Sequence, residues 1–313
     1  MKQRLIIDTD AGVDDAIALL MALSDPSAEV VAITTVSGNV PVDRVIRNVG
    51  IVLDFMGAGA IPIFRGAAQP LVGPPIHAME IHGQDGLGDA GFPPSSRSPD
   101  PDPAPWAIVN LARRFAGELL LIALGPLTNV ALAVALEPEL PRLLGGFLWM
   151  GGAIRAQGNT TPVAEFNAYA DPEAAAAVFA RGMDPIVVPW ETVVEAFIPW
   201  EDWDRLLRIE PLGPKVIAPM TARLQQLLKA RGWPGMVLAD PVAMVVALNP
   251  ASARLESWYI EVETVGAISR GLTAVDRMRL RGRPPNARVA TAVDRSILLQ
   301  MLGSAFRRSL LES

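Results

Sequence analysis

The residues best suited to chemistry come early in the chain. Asp8-Thr9-Asp10-Ala11-Gly12-Val13-Asp14-Asp15 sets four carboxylates within eight positions, directly after the apolar run Leu5-Ile6-Ile7. That run reads as the end of a first strand, and Asp14 to Leu23 reads as the helix that follows. In open α/β sheets the carboxyl end of a strand is where ligands bind. The helix dipole favours each carboxylate near its start by only about 0.3–1 kcal/mol. Repulsion between carboxylates in a partly dry cleft is of the order of several kcal/mol per pair, so repulsion wins. A cation resolves the conflict, and hard aspartate oxygens suit Ca²⁺ or Mg²⁺. One aspartate alone would read as an N-cap or turn residue. The octet does not.

Composition narrows the chemistry further. Half of the 313 residues are apolar and 19% are charged, enough for a sizeable buried core. A net charge of −6 argues against a nucleic-acid partner, which would call for a basic stripe. With no cysteine there is no disulfide, thiolate metal site or cysteine nucleophile. The two histidines, His77 and His82, exclude a three-histidine zinc site and leave a serine–histidine triad only these two to use. The segment before Asp8 is too short for a signal-peptide core. The most apolar stretch, Leu119 to Leu136, is broken by Gly125, Pro126 and Asn129, so no membrane span is expected. These features predict a cytoplasmic protein without membrane or nucleic-acid partners.

The elements that must position the octet alternate in type. Glu29 to Val36 reads as a buried strand. A helix over Val42–Met56 and a short strand at Ile61–Phe64 follow. Such alternation predicts right-handed crossovers and a parallel sheet. Between Arg65 and Pro105 regular pattern gives way to a loop with nine prolines. Its part from Ile76 to Asp89 reads as an active-site loop and Pro93–Pro105 as a connector. Strands resume at Glu118–Ala123, at 146–150 and within 185–191. One helix runs to Leu136, and another begins at Pro172, a residue suited to the first helical turn, and ends near Arg181. Helices at Trp200–Arg208 and Gly213–Arg231 fall in a 200–240 segment expected to cover the pocket. A helix over Pro241–Leu248, strands near Ser257–Thr264 and Arg288–Val293, and a helix from Arg295 to Leu311 complete the chain. The expectation is one Rossmann-like α/β domain over 1–313, an open, largely parallel, mixed sheet flanked by helices.

Four polar loops follow predicted strands: Asp8–Asp15, Ser37–Asn39, Leu124–Asn129 and Gly158–Asn167. A fifth, Ala239-Asp240-Pro241, opens a helix. In a parallel sheet these ends meet at one edge, which is what a pocket for a metal ion and a sugar requires.

Together the sequences DTDAGVDDA, VSGN, HGQDGLG, LGPLTN, GNTTPVAEFN with ADPEAA behind it, and the late ADP resemble the inosine–uridine-preferring nucleoside hydrolase family. The resemblance spans Leu5 to Leu248. It implies an open α/β sheet, a tightly bound Ca²⁺ and a homodimer or homotetramer. It also implies hydrolysis of the N-glycosidic bond of a ribonucleoside to ribose and free base. Carried across by position, it makes Asp10 the general base toward a calcium-bound water and a metal ligand. Asp15, Asp240 and the Leu124 carbonyl are further ligands, and Asp8 joins the metal sphere. Asp14, Asn39, Asn159, Glu165 and Asn167 hold the ribose hydroxyls, and His82 borders the nucleobase. The chemistry is coherent, since departure of a base from C1′ builds an oxocarbenium-like cation that a carboxylate floor stabilises.

One position departs from the family. Many members carry a histidine before the late aspartate as general acid, where this chain has Ala239. His82 is the leading replacement, with Glu191 and Trp190 weaker ones, while a cationic base would need no acid. Among the tryptophans, Trp149 reads as core and Trp106 as surface. Trp190 and Trp233 could stack on a base or pack in the core. Two other readings stay open at this level: a metal-bound nucleoside-binding protein without turnover, and a phosphatase of the haloacid-dehalogenase type. The choice between purine and pyrimidine also stays open.

Overall fold

The computed structural model describes residues 2–155 and 157–308. Six strands, β1 (Gln3–Thr9), β2 (Ala28–Thr35), β3 (Ile63–Phe64), β4 (Leu119–Ala123), β5 (Gly146–Met150) and β6 (Ile186–Val188), lie parallel in the order β3-β2-β1-β4-β5-β6. Ala287–Val293 extends the sheet parallel to β6, and Ala253–Trp258 closes the edge antiparallel to it. The result is an eight-stranded, mixed, mostly parallel sheet.

Side-chain alternation in β1 divides the core. Leu5 and Ile7 face one buried cluster and Ile6 the other, as the two-residue period of a strand requires. The first face is covered by α1 (Val13–Ser24), α2 (Val42–Phe55) and the helices Ala239–Leu248 and Arg295–Phe306. The second is covered by Ala104–Arg114, Thr128–Leu136 and Pro172–Ala180. Apolar helices on both faces make every central strand a near-continuous hydrophobic run.

Strand order reverses between β1 and β4, the point where doubly wound sheets open a crevice at the carboxyl ends. Asp8 pairs with Ala123 there, and the Leu124 N–H donates to the Asp8 carbonyl at 2.8 Å. Asp10 and Leu124 therefore leave the sheet side by side. On the α1 side, α1 packs against Ala239–Leu248, which brings the start of one helix to the start of the other.

Several expected elements take a different form. The predicted strand Ser257–Thr264 breaks after Trp258. Ile260–Val262 leaves the main sheet and pairs antiparallel with Thr273–Val275. Asn286 replaces the lost ladder, accepting from the Ile260 N–H and donating to its carbonyl. The exit of β6 becomes a helix, Trp190–Glu195, and the proline-rich loop contains one helical turn, α3 (Met79–His82). Within 93–105, Asp100 bridges to β3 and Arg97 pairs with Asp54 at 2.7 Å. The last helix is described as Arg295–Phe306, and the predicted residues 309–311 lie outside the described residues. Among the described residues no helix is long and apolar enough to cross a membrane.

Candidate active site

The turn after β1 bends sharply at Ala11, whose φ is 37°. This turn carries Asp10, Asp14 and Asp15, and Asp10 lies close enough to Asp15 and Asp14 to feel their charges. Asp15 is the best-anchored of the three: Thr9 Oγ1 donates to its Oδ1, while the Gly12 N–H (2.8 Å) and Asn39 Nδ2 (3.1 Å) donate to Oδ2. Asp10 Oδ2 accepts the Asn39 N–H at 2.7 Å, and its Oδ1 is buried without a partner. Asp14 Oδ2 accepts the Ala239 N–H at 3.2 Å, and its Oδ1 is likewise buried and unpartnered. Only glycine fits at position 38, where an added Cβ would lie 2.1 Å from Asp10 Oδ2.

Asp240, buried in the first turn of Ala239–Leu248, completes the cluster. One carboxylate oxygen from each of Asp14, Asp15 and Asp240 lies within 4.8 Å of the others. Burial, then the neighbouring Asp15 charge, pushes Asp10 and Asp240 well above the usual carboxylate range. Burial also raises Asp14, although His82 opposes the shift. Carboxylates so placed do not all ionise unless a positive charge joins them. Unpartnered oxygens, converging hard donors and a missing side chain at Gly38 all fit a divalent cation.

Asp8 also has one buried oxygen, Oδ2, without a partner. Its Oδ1 accepts from Thr34 and from Asn129 at 2.7 Å, and burial raises its pKa to about 7 without help from another carboxylate. The Leu124 carbonyl accepts from Asn167 Nδ2 at 2.7 Å.

Above the carboxylates opens a cavity of about 600 Å³, within the range of small-molecule sites. Asp14, Asn39, Asn159, Glu165 and Asn167 all line it, together with Leu124, Asp240 and His82. Asp10 and Asp15 are fully buried. Glu165 caps the helix Phe166–Ala170, accepting from the N–H groups of Asn167 (2.9 Å) and Ala168 (3.2 Å), and from Gly152 at 2.8 Å. Burial outweighs those three bonds and lifts its pKa to about 7. Asn159, exposed at the rim, accepts the Phe166 N–H at 2.8 Å.

His82 sits on α3 with Nδ1 accepting the Val13 N–H at 3.1 Å and lying 3.8 Å from Asp14 Oδ1. The Val13 bond assigns the neutral ring's proton to Nε2, where it can be donated. Gly12 permits this approach, since a Cβ there would be 2.5 Å from Nδ1. Ala239 presents only a methyl group to the cavity wall. Glu191 is buried and does not line the cavity: its carboxylate accepts from the Ile154 and Arg155 N–H groups. Trp190 and Trp233 do line it, while Trp149 is fully buried in the core and Trp106 is exposed. Tyr169 and Arg231 also line the cavity. Sequence reasoning passed over both. Tyr169 lies two positions after Asn167 on the same short helix, a spacing that does not place two residues on one helix face and so gave no signal.

A carboxylate-floored cavity at the reversal point of a doubly wound sheet, ringed by amides and an acid, defines a class of cation-assisted sugar-binding enzymes. The chain matches the family described as inosine-uridine preferring nucleoside hydrolase over residues 5–300, and it belongs to that family. It is therefore an enzyme that hydrolyses the N-glycosidic bond of ribonucleosides. It is 36% identical over 300 residues to a pyrimidine-specific ribonucleoside hydrolase of Salmonella enteritidis PT4, covering 95% of this chain and 96% of that one. Among solved structures it is similar to a plant nucleoside hydrolase, with a TM-score of 0.91 and 33% identity over 98% of this chain and 99% of the other. An inosine-guanosine nucleoside hydrolase is similar with a TM-score of 0.89 and 35% identity over the same shares. These findings favour neither a phosphatase nor a binding protein without turnover.

Proposed function

We propose that the chain holds one Ca²⁺ through Asp10, Asp15, Asp240 and the Leu124 carbonyl, and that Asp10 is the general base of the hydrolysis. The observation that carries this reading is the unpartnered, buried Oδ1 of Asp10 beside the Asp14–Asp15–Asp240 cluster. Asp8, whose Oδ1 is held by Thr34 and Asn129 and whose Oδ2 is buried without a partner, joins the same metal sphere. When bound, the ion supplies a local positive charge that lets these carboxylates ionise together and favours deprotonation of a nearby water.

The chain's own residues do the rest. Asp10, once ionised, takes the proton from the attacking water through Oδ1, the oxygen not committed to Asn39. Asp14, Asn39, Asn159, Glu165 and Asn167 hold the ribose hydroxyls and keep C1′ over the carboxylates. Their negative charge stabilises the oxocarbenium-like transition state. His82 offers its Nε2 proton toward the departing base, with Trp190 and Trp233 as the aromatic walls of the base pocket.

Turnover of ribonucleosides against their 2′-deoxy counterparts tests the reading. Buried polar partners left without a hydroxyl should reject the deoxy substrate by about 10⁴-fold. Equal turnover of both would overturn it. A cytoplasmic role in nucleoside salvage and assembly as a homodimer or homotetramer belong to the same proposal, and light scattering coupled to size exclusion reads the assembly.

A further inference from the structure

The backbone Gly152–Arg155, just beyond β5, has no regular secondary structure, yet side chains from three distant places hold it. The Gly152 N–H donates to Glu165 Oε2 (2.8 Å), Ala153 to Thr273 Oγ1 (2.7 Å), Ile154 to Glu191 Oε2 (2.9 Å), and Arg155 to Glu191 Oε1. The carbonyls are held as well. Gly152 accepts from the Trp190 N–H at 3.0 Å, Ala153 from Thr273 Oγ1 at 2.7 Å, and Ile154 from Arg277 at 3.0 Å. Four successive amides are thus pinned by three buried side chains, Glu165, Thr273 and Glu191.

Only one of those three side chains, Glu165, reaches the cavity. We propose that Glu191 and Thr273 are positioning residues that fix the Glu165 carboxylate through this strap. A carboxylate accepting two adjacent N–H groups sets the strap's direction as well as its distance, because both oxygens are used. The Gly152 N–H is then presented to Glu165 from a fixed point, and Glu165 cannot turn without losing it. The same strap accepts from the N–H of Trp190, so it joins the sugar end of the cavity to an aromatic wall. This inference rests on the reading of Glu165 as a ribose-holding residue.

The test is a double-mutant cycle on the calcium-loaded enzyme with a ribonucleoside substrate. Glu191→Gln keeps the volume but leaves one strap amide facing an NH₂ group. It is expected to lower kcat/KM about 10-fold, the scale of one lost charge-assisted bond. In a Glu165→Gln background the same change is expected to cost less than about 2-fold. Thr273→Val should behave as Glu191→Gln does, and Thr273→Ser, which restores the hydroxyl, should recover activity. This pair reads the same strap if Glu191→Gln does not fold. Equal losses in both backgrounds, or no loss from Glu191→Gln and Thr273→Val in the native background, would overturn the inference. Glu165→Gln without effect on kcat/KM would instead overturn the role assigned to Glu165, and the inference would fall with it.

Discussion

The Asn39 backbone N–H meets Asp10 Oδ2 at 2.7 Å and leaves Oδ1 of the same carboxylate buried without a partner. In the proposed reaction the first oxygen orients the carboxylate and the second takes the proton. Replacing Asp10 with alanine should cut ribose release by about 10³-fold or more, at the upper end of what a general base contributes. The fold should survive, since Asp10 gives up a single hydrogen bond, from the Asn39 N–H, and the cost of burying its carboxylate goes with it. Steady-state rates alongside far-ultraviolet circular dichroism check this, and near-normal turnover would remove Asp10 from the role of base.

Asp240 has a different part in the cluster. Its carboxylate is raised by burial and by the charges of Asp15, Asp14 and Asp10, none of which it relieves. The variant Asp240→Ala should lose bound calcium, measurable as metal per protein by elemental analysis. The metal-free variant should be no less stable than the metal-free parent, because a buried carboxyl group disfavoured by desolvation and by its acidic neighbours has gone. Full calcium retention would place the ion elsewhere.

Glu165 gives a pH signature in chelated protein. Its pKa rises from 4.5 to about 7 on folding, chiefly through burial. The native state thus binds the proton more tightly than the unfolded chain. The stability this confers is fully present below about 4.5 and is lost as pH rises through about 7, a change of roughly 3 kcal/mol. Denaturation midpoints of the calcium-free protein should therefore fall between pH 5 and 8, and Glu165→Gln should flatten that fall. An unchanged slope in the variant would assign the proton to another group.

His82→Ala should discriminate between leaving groups. A proton donated from Nε2 matters most where the base departs poorly as an anion, so natural nucleosides should lose about 10-fold more than a substrate with a good leaving group, such as nitrophenyl riboside. Equal losses across both would show that His82 shapes the pocket without serving as acid.

Much of this arrangement was legible in the sequence because its signals are local. The octet at Asp8–Asp15, the β-branched run before Thr35 and the proline opening Pro172–Ala180 each carry their structure in their own residues. What escaped depends on partners far away. The break after Trp258 exists because Asn286 occupies the ladder position of Ile260. Glu191 reads as an acid near a strand exit, and only the strap at Ile154 and Arg155 shows where it points. Asp8 and Asp10 look equivalent in the motif. Their hydrogen-bond partners differ, Thr34 and Asn129 for Asp8 and Asn39 for Asp10, none adjacent in sequence.

Reducing-sugar release across a panel of ribonucleosides is the most direct test of calcium-dependent hydrolysis at the Asp10 cluster. The panel is run with calcium retained, after exhaustive chelation, and after calcium is restored. Ribose release is expected with calcium, with loss on chelation and recovery on restoration. Undiminished turnover in fully chelated protein, or no release from any ribonucleoside with calcium bound, would contradict it.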